Sequence, residues 1–154
     1  MQEWYRSRAL YEAVLKLVDS GNYDEAVKMA EGIPDEVIKA KAFSTIAIEV
    51  AKRGADYGKF LEKAVDVALD IDNSEESTKA LMSLAFEFLN MGMVDDARKI
   101  SMFIRDIPNR SKVEAEIALA LAKGGKVAEA MEIINGILDE DVKTWAMSRL
   151  ASQL

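Results

Sequence analysis

A glycine, an alanine five residues later and an isoleucine seven beyond that recur along the chain, and this cadence constrains the fold more than any single residue does. The clearest copies are Gly21, Ala26 and Ile33; Gly92, Ala97 and Ile104; and Gly125, Ala130 and Ile137. A fixed period is the mark of an array of small stacked units, each too small to bury its apolar face alone.

With Ile33, Ile71, Ile104 and Ile137 as markers, successive steps are 38, 33 and 33 residues, so one unit carries five extra. Fourteen residues after each marker comes Ala47, Ala85, Ala118 or Ala151, preceded in turn by Ile46, Leu84, Ile117 and Leu150. Twenty-one residues after the first three comes Gly54, Gly92 or Gly125.

Apolar residues within a unit recur at helical spacing, as in Phe43, Ile46, Ala47 and Val50, or Leu81, Leu84, Ala85 and Phe88; no segment alternates as a strand would. The glycine falls where this first helix should end, because glycine accepts a left-handed C-cap without steric cost. Asp35, Asn73, Asp106 and Asp139 each stand two residues after a marker, where a short polar side chain can cap the next helix. Asp24 with Lys28, Asp95 with Lys99 and Asp139 with Lys143 have the spacing of helical ion pairs. The pattern predicts nine helices, at about 4–19, 24–32, 36–53, 59–70, 75–91, 94–104, 110–124, 127–137 and 140–153. The five extra residues fall around Ala55 to Lys59, as a longer turn at Gly58 or as a longer second helix from near Asp56.

These residues resemble the tetratricopeptide repeat over nearly the whole chain. The best local match is Gly21-Asn22-Tyr23-Asp24-Glu25-Ala26, similar to the family's turn into its second helix, and Gly92 to Ala97 and Gly125 to Ala130 repeat it more loosely. The twelve-residue steps Ala85 to Ala97 and Ala118 to Ala130 are the family's spacing as well. There are departures: the family's tryptophan position holds Phe43, Leu81, Glu114 and Met147, and its late proline is replaced by Ile38, Glu76, Asn109 and Val142. HEAT and armadillo units are longer, at about 40 residues or more. The resemblance implies an all-α fold: an α-α superhelix, or solenoid, of about four helical hairpins plus a C-terminal capping helix. One domain, 1–154, would contain units of about 1–33, 34–71, 72–104 and 105–137 and a terminal helix at 138–154.

The resemblance also implies that the first helices line a concave groove, and repeat phase assigns its rows. One row reads Arg8, Lys41, Lys79, Lys112 and Trp145; a second reads Tyr11, Ser44, Met82, Ala115 and Ser148. A third reads Leu15, Ile48, Phe86, Leu119 and Ser152, with Asp19, Lys52, Asn90 and Lys123 one turn further. The expectation is an apolar floor between two mostly basic edges, in a chain of formal net charge −7. Such a groove would cradle a protein or peptide partner carrying acidic and apolar side chains. The alternative is that the lysines are solvated surface and the apolar row is core. The lysine and asparagine positions of the family's C-terminal carboxylate clamp hold mainly Tyr11, Ser44, Leu15 and Ile48, so that clamp is not expected. Trp4, Tyr5 and Trp145 near the ends either seal the core or anchor a partner or a second copy, which keeps a homo-oligomer open.

Chemistry is bounded by what is missing. The chain has no histidine and no cysteine, which removes serine–histidine and cysteine–histidine catalysis, disulfides and the common zinc sites. Acid pairs such as Glu75-Glu76, Asp95-Asp96 and Asp139-Glu140-Asp141 sit at predicted helix starts, where they meet the helix dipole favourably. Gly124-Gly125-Lys126 lacks the spacing and hydroxyl of a phosphate-binding loop, so no cofactor is expected. Met82, Met91, Met93 and Met102 are expected mostly to fill core gaps. The acidic balance opposes nucleic-acid binding. The longest apolar run, Ile117 to Ala122, is far short of the ~20 residues needed to span a bilayer, and the N-terminal residues lack a signal peptide's apolar run. The expectation is a soluble cytoplasmic protein with no enzymatic activity: an interaction scaffold or, alternatively, a self-associating structural array.

Overall fold

The computed structural model describes residues 2–154, and among them there are nine helices and no strand. They are α1 (Gln2–Asp19), α2 (Tyr23–Glu31), α3 (Glu36–Lys52), α4 (Gly58–Leu69), α5 (Ser74–Asn90), α6 (Val94–Ser101), α7 (Ile107–Lys123), α8 (Val127–Asn135) and α9 (Glu140–Gln153). The long members alternate with short ones, as the cadence predicts, but three boundaries move. Helices α6 and α8 stop at Ser101 and Asn135, short of residues 104 and 137, and α7 starts at Ile107 rather than near 110.

The cause is the marker isoleucine. Ile33, Ile71, Ile104 and Ile137 all lie beyond a second helix, and each donates its N–H to the carbonyl three residues back, at 3.1, 3.4, 3.1 and 3.1 Å. All four side chains are buried. Each marker therefore closes one hairpin with a buried apolar side chain. Burial of such a side chain stabilises by about 1.5–3 kcal/mol.

Two residues later comes the cap. Asp35, Asn73, Asp106 and Asp139 accept the backbone N–H of Ile38, Glu76, Asn109 and Val142 at 2.9, 2.9, 3.1 and 3.0 Å. Pro108, in the first turn of α7, loses nothing by lacking an N–H, since that donor has no intrahelical partner.

At the other end of each first helix the chain reverses through a left-handed glycine: Gly21, Gly54, Gly92 and Gly125 have φ of 78, 71, 79 and 85°. The residue after each donates to the carbonyl five back, Asn22 to Leu17, Ala55 to Val50, Met93 to Phe88 and Lys126 to Leu121, at 2.8 to 3.2 Å. This pairing satisfies carbonyls that the helix leaves free. The five extra residues divide between both expected places. The turn before α4 holds five residues, 53–57, where the others hold three, and α4 has 12 residues against 9 in α2 and α8.

The chain forms two compact units, one ending at Ala80 and the other spanning Leu81–Leu154. In the first, α1 packs on α2 and α3, α2 on α3, and α3 on α4. In the second, α7 packs on α6, α8 and α9, and α8 on α9. Ala26, Ala64, Ala97 and Ala130 on the short helices, and Ala47, Ala85 and Ala118 on the long ones, have no exposed surface. A methyl group at these positions lets paired helices approach closely. The last member of that series departs: Ala151 on α9 is exposed.

Polar ties hold the first unit. Arg53 donates to the Val18 carbonyl at 2.7 Å and the Tyr23 hydroxyl at 3.0 Å, placing a cation at the negative end of α1. Glu31 meets Lys63 of α4 at 2.9 Å and Lys39 of α3 at 3.6 Å, and the Lys63 hydrogen bond holds its carboxyl below the ordinary value. The expected pair of Asp24 with Lys28 does not form; Lys28 turns to Glu25 at 3.4 Å and Asp24 reaches Lys59 at 3.8 Å.

Candidate functional site

In the first unit the expected groove residues separate by depth. Arg8 and Lys41 are exposed, but both lie on aromatic faces: the Arg8 guanidinium carbon is 5.9 Å from the ring centres of Trp4 and Tyr11, and Lys41 Nζ is 5.3 Å from that of Tyr11. Tyr11 itself is only 8% exposed, so it is not a free groove position. The two cations cover its ring and its hydroxyl lies 3.3 Å from Thr45 Oγ1. Because Thr45 donates its one hydrogen to the Lys41 carbonyl at 2.9 Å, Tyr11 is the donor between the two hydroxyls. Ser44 and Ile48 are half-buried. Lys52 and Lys79 are exposed, and each reaches a glutamate one turn earlier, Glu49 at 3.7 Å and Glu76 at 3.9 Å.

The second unit contains a cavity of about 520 Å³, within the range of roughly 300–1,000 Å³ usual for ligand pockets. Three helices line it, each largely by residues one turn apart: Met82 and Phe86 from α5, Lys112 and Glu116 from α7, and Asp141, Val142 and Trp145 from α9. Spacing by four residues keeps successive side chains on one helix face, so each helix presents a two-step ladder to the cavity. The α9 cap at Asp139 fixes where its ladder begins, since it sets Val142 at the third helical position. Met82, Phe86 and Val142 are half-buried and Trp145 is 45% exposed, which leaves the apolar lining open to solvent. The Arg149 guanidinium carbon stands 5.9 Å from the Trp145 ring centre.

Four expected residues thus meet in one place: Met82, Phe86, Lys112 and Trp145. Others do not join them. Leu119 is 5% exposed and Ala115 fully buried, because α7 is covered by α6, α8 and α9 and these positions turn inward. Asn90 and Lys123 are exposed at the ends of α5 and α7 but do not line the cavity. Met82 is cavity wall and Met102 is 66% exposed, so neither is the core filler expected of it.

The charge also differs from expectation. The rim carries Glu116 and Asp141 beside Lys112, two carboxylates against one ammonium, so this part of the first-helix face is not basic-edged. Glu116 follows Lys112 by one turn and Asp141 precedes Trp145 by one turn. That spacing was the available signal for both.

Among the described residues no helix is long and apolar enough to cross a membrane, and no three acidic side chains are grouped to hold a metal ion. No family model matches the chain, and no curated protein matches it. Two crystal structures from Podosopora anserina, of a protein described as a kinesin light chain with nearly identical TPR-like repeats, are similar to it. One is of a variant and is 20% identical, covering 91% of this chain and 77% of its own with a TM-score of 0.44. The other is also 20% identical, with 90% and 77% covered and a TM-score of 0.44. Left-handed glycine turns, alanine-packed hairpins and capped restarts recur in this chain's own geometry, and by them it is an all-α protein built of repeated helical hairpins.

Proposed function

We infer that the chain is a non-enzymatic protein-interaction scaffold, and that a peptide segment or the edge of a protein partner docks at the cavity between α5, α7 and α9. The observation that carries this reading is the open apolar lining: Phe86, Met82 and Val142 at half burial beside an exposed Trp145. An exposed aromatic next to a ready concavity is the kind of anchor that dominates protein interfaces. With neither histidine nor cysteine, no serine–histidine or cysteine–histidine pair and no thiolate competes with this reading.

The test is an array of short peptides of varied composition probed with the full chain and with Trp145→Ala. The reading expects a subset of peptides to bind the parent and to be lost by the variant while its helical circular dichroism is unchanged. An identical subset on both proteins eliminates the cavity as the docking site. The exposed Arg8, Lys41 and Lys79 of the first unit are the positions where an acidic segment would bind, and Lys41→Glu with Lys79→Glu tests them in the same array.

Self-association is the second reading. It is favoured by apolar exposure around the last hairpin, where Leu138, Met147 and Leu154 are 66%, 43% and 82% exposed. Light scattering across a concentration series separates it, because a persistent monomer leaves it without support.

A further inference from the structure

We propose that the cavity of the second unit selects a basic side chain, an arginine or lysine flanked by apolar residues on a partner peptide; this rests on the cavity being the docking site. Three observations converge on that chemistry.

The first is charge. Glu116 and Asp141 both line the cavity against one lining ammonium, Lys112, and Arg149 stands outside that lining, 5.9 Å from the Trp145 ring centre, so the lining itself carries one carboxylate in excess. An acidic occupant would add to it, whereas a cationic head closes it. A lining whose charge complements its occupant discriminates among partners more than it adds raw affinity.

The second is the aromatic wall. Trp145 is the side chain best suited to lie against a cation, and one of its neighbours already does so: Arg149 is 5.9 Å from the ring centre. A partner's guanidinium or ammonium at the cavity face of the indole would repeat that contact inside a concavity.

The third is the form of the floor. Met82, Phe86 and Val142 offer apolar surface beneath the polar rim. Arginine and lysine match this layering, because their aliphatic stems bury against apolar surface while the charged head reaches outward. A volume of about 520 Å³ also leaves room for a neighbouring apolar side chain.

The experiment uses three dye-labelled peptides of sequence Ala-Leu-X-Leu-Ala-Gly, with X as arginine, glutamine or glutamate, titrated into the full chain by fluorescence anisotropy. The arginine peptide is expected to bind about fivefold more tightly than the glutamine peptide, and the glutamate peptide more weakly than either. Glu116→Gln and Asp141→Asn should each shrink the arginine preference, and Lys112→Gln should enlarge it. Added salt should reduce the preference without removing the binding of the glutamine peptide. Equal affinities for all three peptides, a preference for glutamate, or an arginine preference untouched by the two carboxylate variants overturns the proposal; so does binding of none. Trp145→Ala keeps the two readings apart. If all three peptides bind equally and all are lost in that variant, the cavity docks peptides and only its charge selectivity fails. If Trp145→Ala changes nothing, the docking site itself is lost.

Discussion

The hydroxyl of Ser111 accepts the backbone N–H of Asp139 at 3.2 Å, tying the start of α7 to the residue that caps α9. Ser7 does the same for Asp35, at 3.0 Å, between α1 and the cap of α3. Each bond joins residues 28 apart, and both serines are buried, at 1% and 0% exposure. The hydroxyl thus orients a capping aspartate from behind, so that one long helix sets the start of the next. Ser111→Ala should cost about 1–2 kcal/mol, because the aspartate N–H loses its acceptor where water has limited access. Urea unfolding of the full chain measures it, and Ser7→Ala should behave alike. A change below about 0.5 kcal/mol in both would mean that neither bond sets the hairpin junction.

Adjacent glycines in the turn after α7 should respond in opposite ways. Gly125 has φ of 85°, and a Cβ there would meet nothing within 4 Å, so Gly125→Ala is opposed by backbone strain alone. The expected loss is about 1–2 kcal/mol. Gly124 has no such φ, and a Cβ would lie 3.4 Å from the Leu121 carbonyl oxygen, an ordinary contact. Gly124→Ala should be neutral or stabilising by up to about 1 kcal/mol, since it narrows the unfolded ensemble. Thermal melts of the two single variants read the contrast directly.

Recurrence is what made the fold readable. Caps at Asp35, Asn73, Asp106 and Asp139 and turns at the four left-handed glycines repeat one chemical type in one phase, and each acts locally. Depth was harder to read, because helical phase gives the direction of a side chain but not what covers it. Tyr11 and Leu119 share their rows with exposed residues, yet lie beneath cations in one case and among three packed helices in the other. The cavity was half legible for the same reason: Met82, Phe86, Lys112 and Trp145 stood on recurring rows. Glu116 did not, since the equivalent positions are Glu12, Thr45 and Ser83. A row with no common chemistry carries no repeat signal, although its place on the helix face is identical.

The small residues between paired helices predict a steep steric limit. Ala97 of α6 is fully buried, as is Ala85 of α5, twelve residues before it. Ala97→Leu has to fit three further carbon atoms where no surface is free, and should cost about 1–3 kcal/mol by forcing side chains off their rotamers. Ala97→Ser, nearly isosteric, separates size from chemistry and should be milder. Chemical denaturation of both variants provides the check, and equal losses would place the cause in polarity rather than in volume.

Glu114 predicts a pH dependence of one sign. It stands on α7 at the position held by Phe43, Leu81 and Met147 in the other units, its side chain is 22% exposed, and Arg110 lies 3.8 Å away. Burial raises its carboxyl above the ordinary value, and the charges of Arg110 and Arg98 offset this only in part. The unfolded chain therefore ionises Glu114 at a lower pH than the folded one does. Below the ordinary carboxylate value both states are protonated and the residue is neutral in effect; as pH rises through the ordinary value and then the raised one, the folded state bears a charge it holds less well, and stability is lost. Glu114→Gln removes that titration. The variant's stability relative to the parent should rise between pH 3.5 and 7 and level off above, a trend readable from paired urea titrations at fixed ionic strength. A difference that stays flat across this window, or favours the parent increasingly as pH rises, would mean that the Arg110 pair outweighs the burial of Glu114.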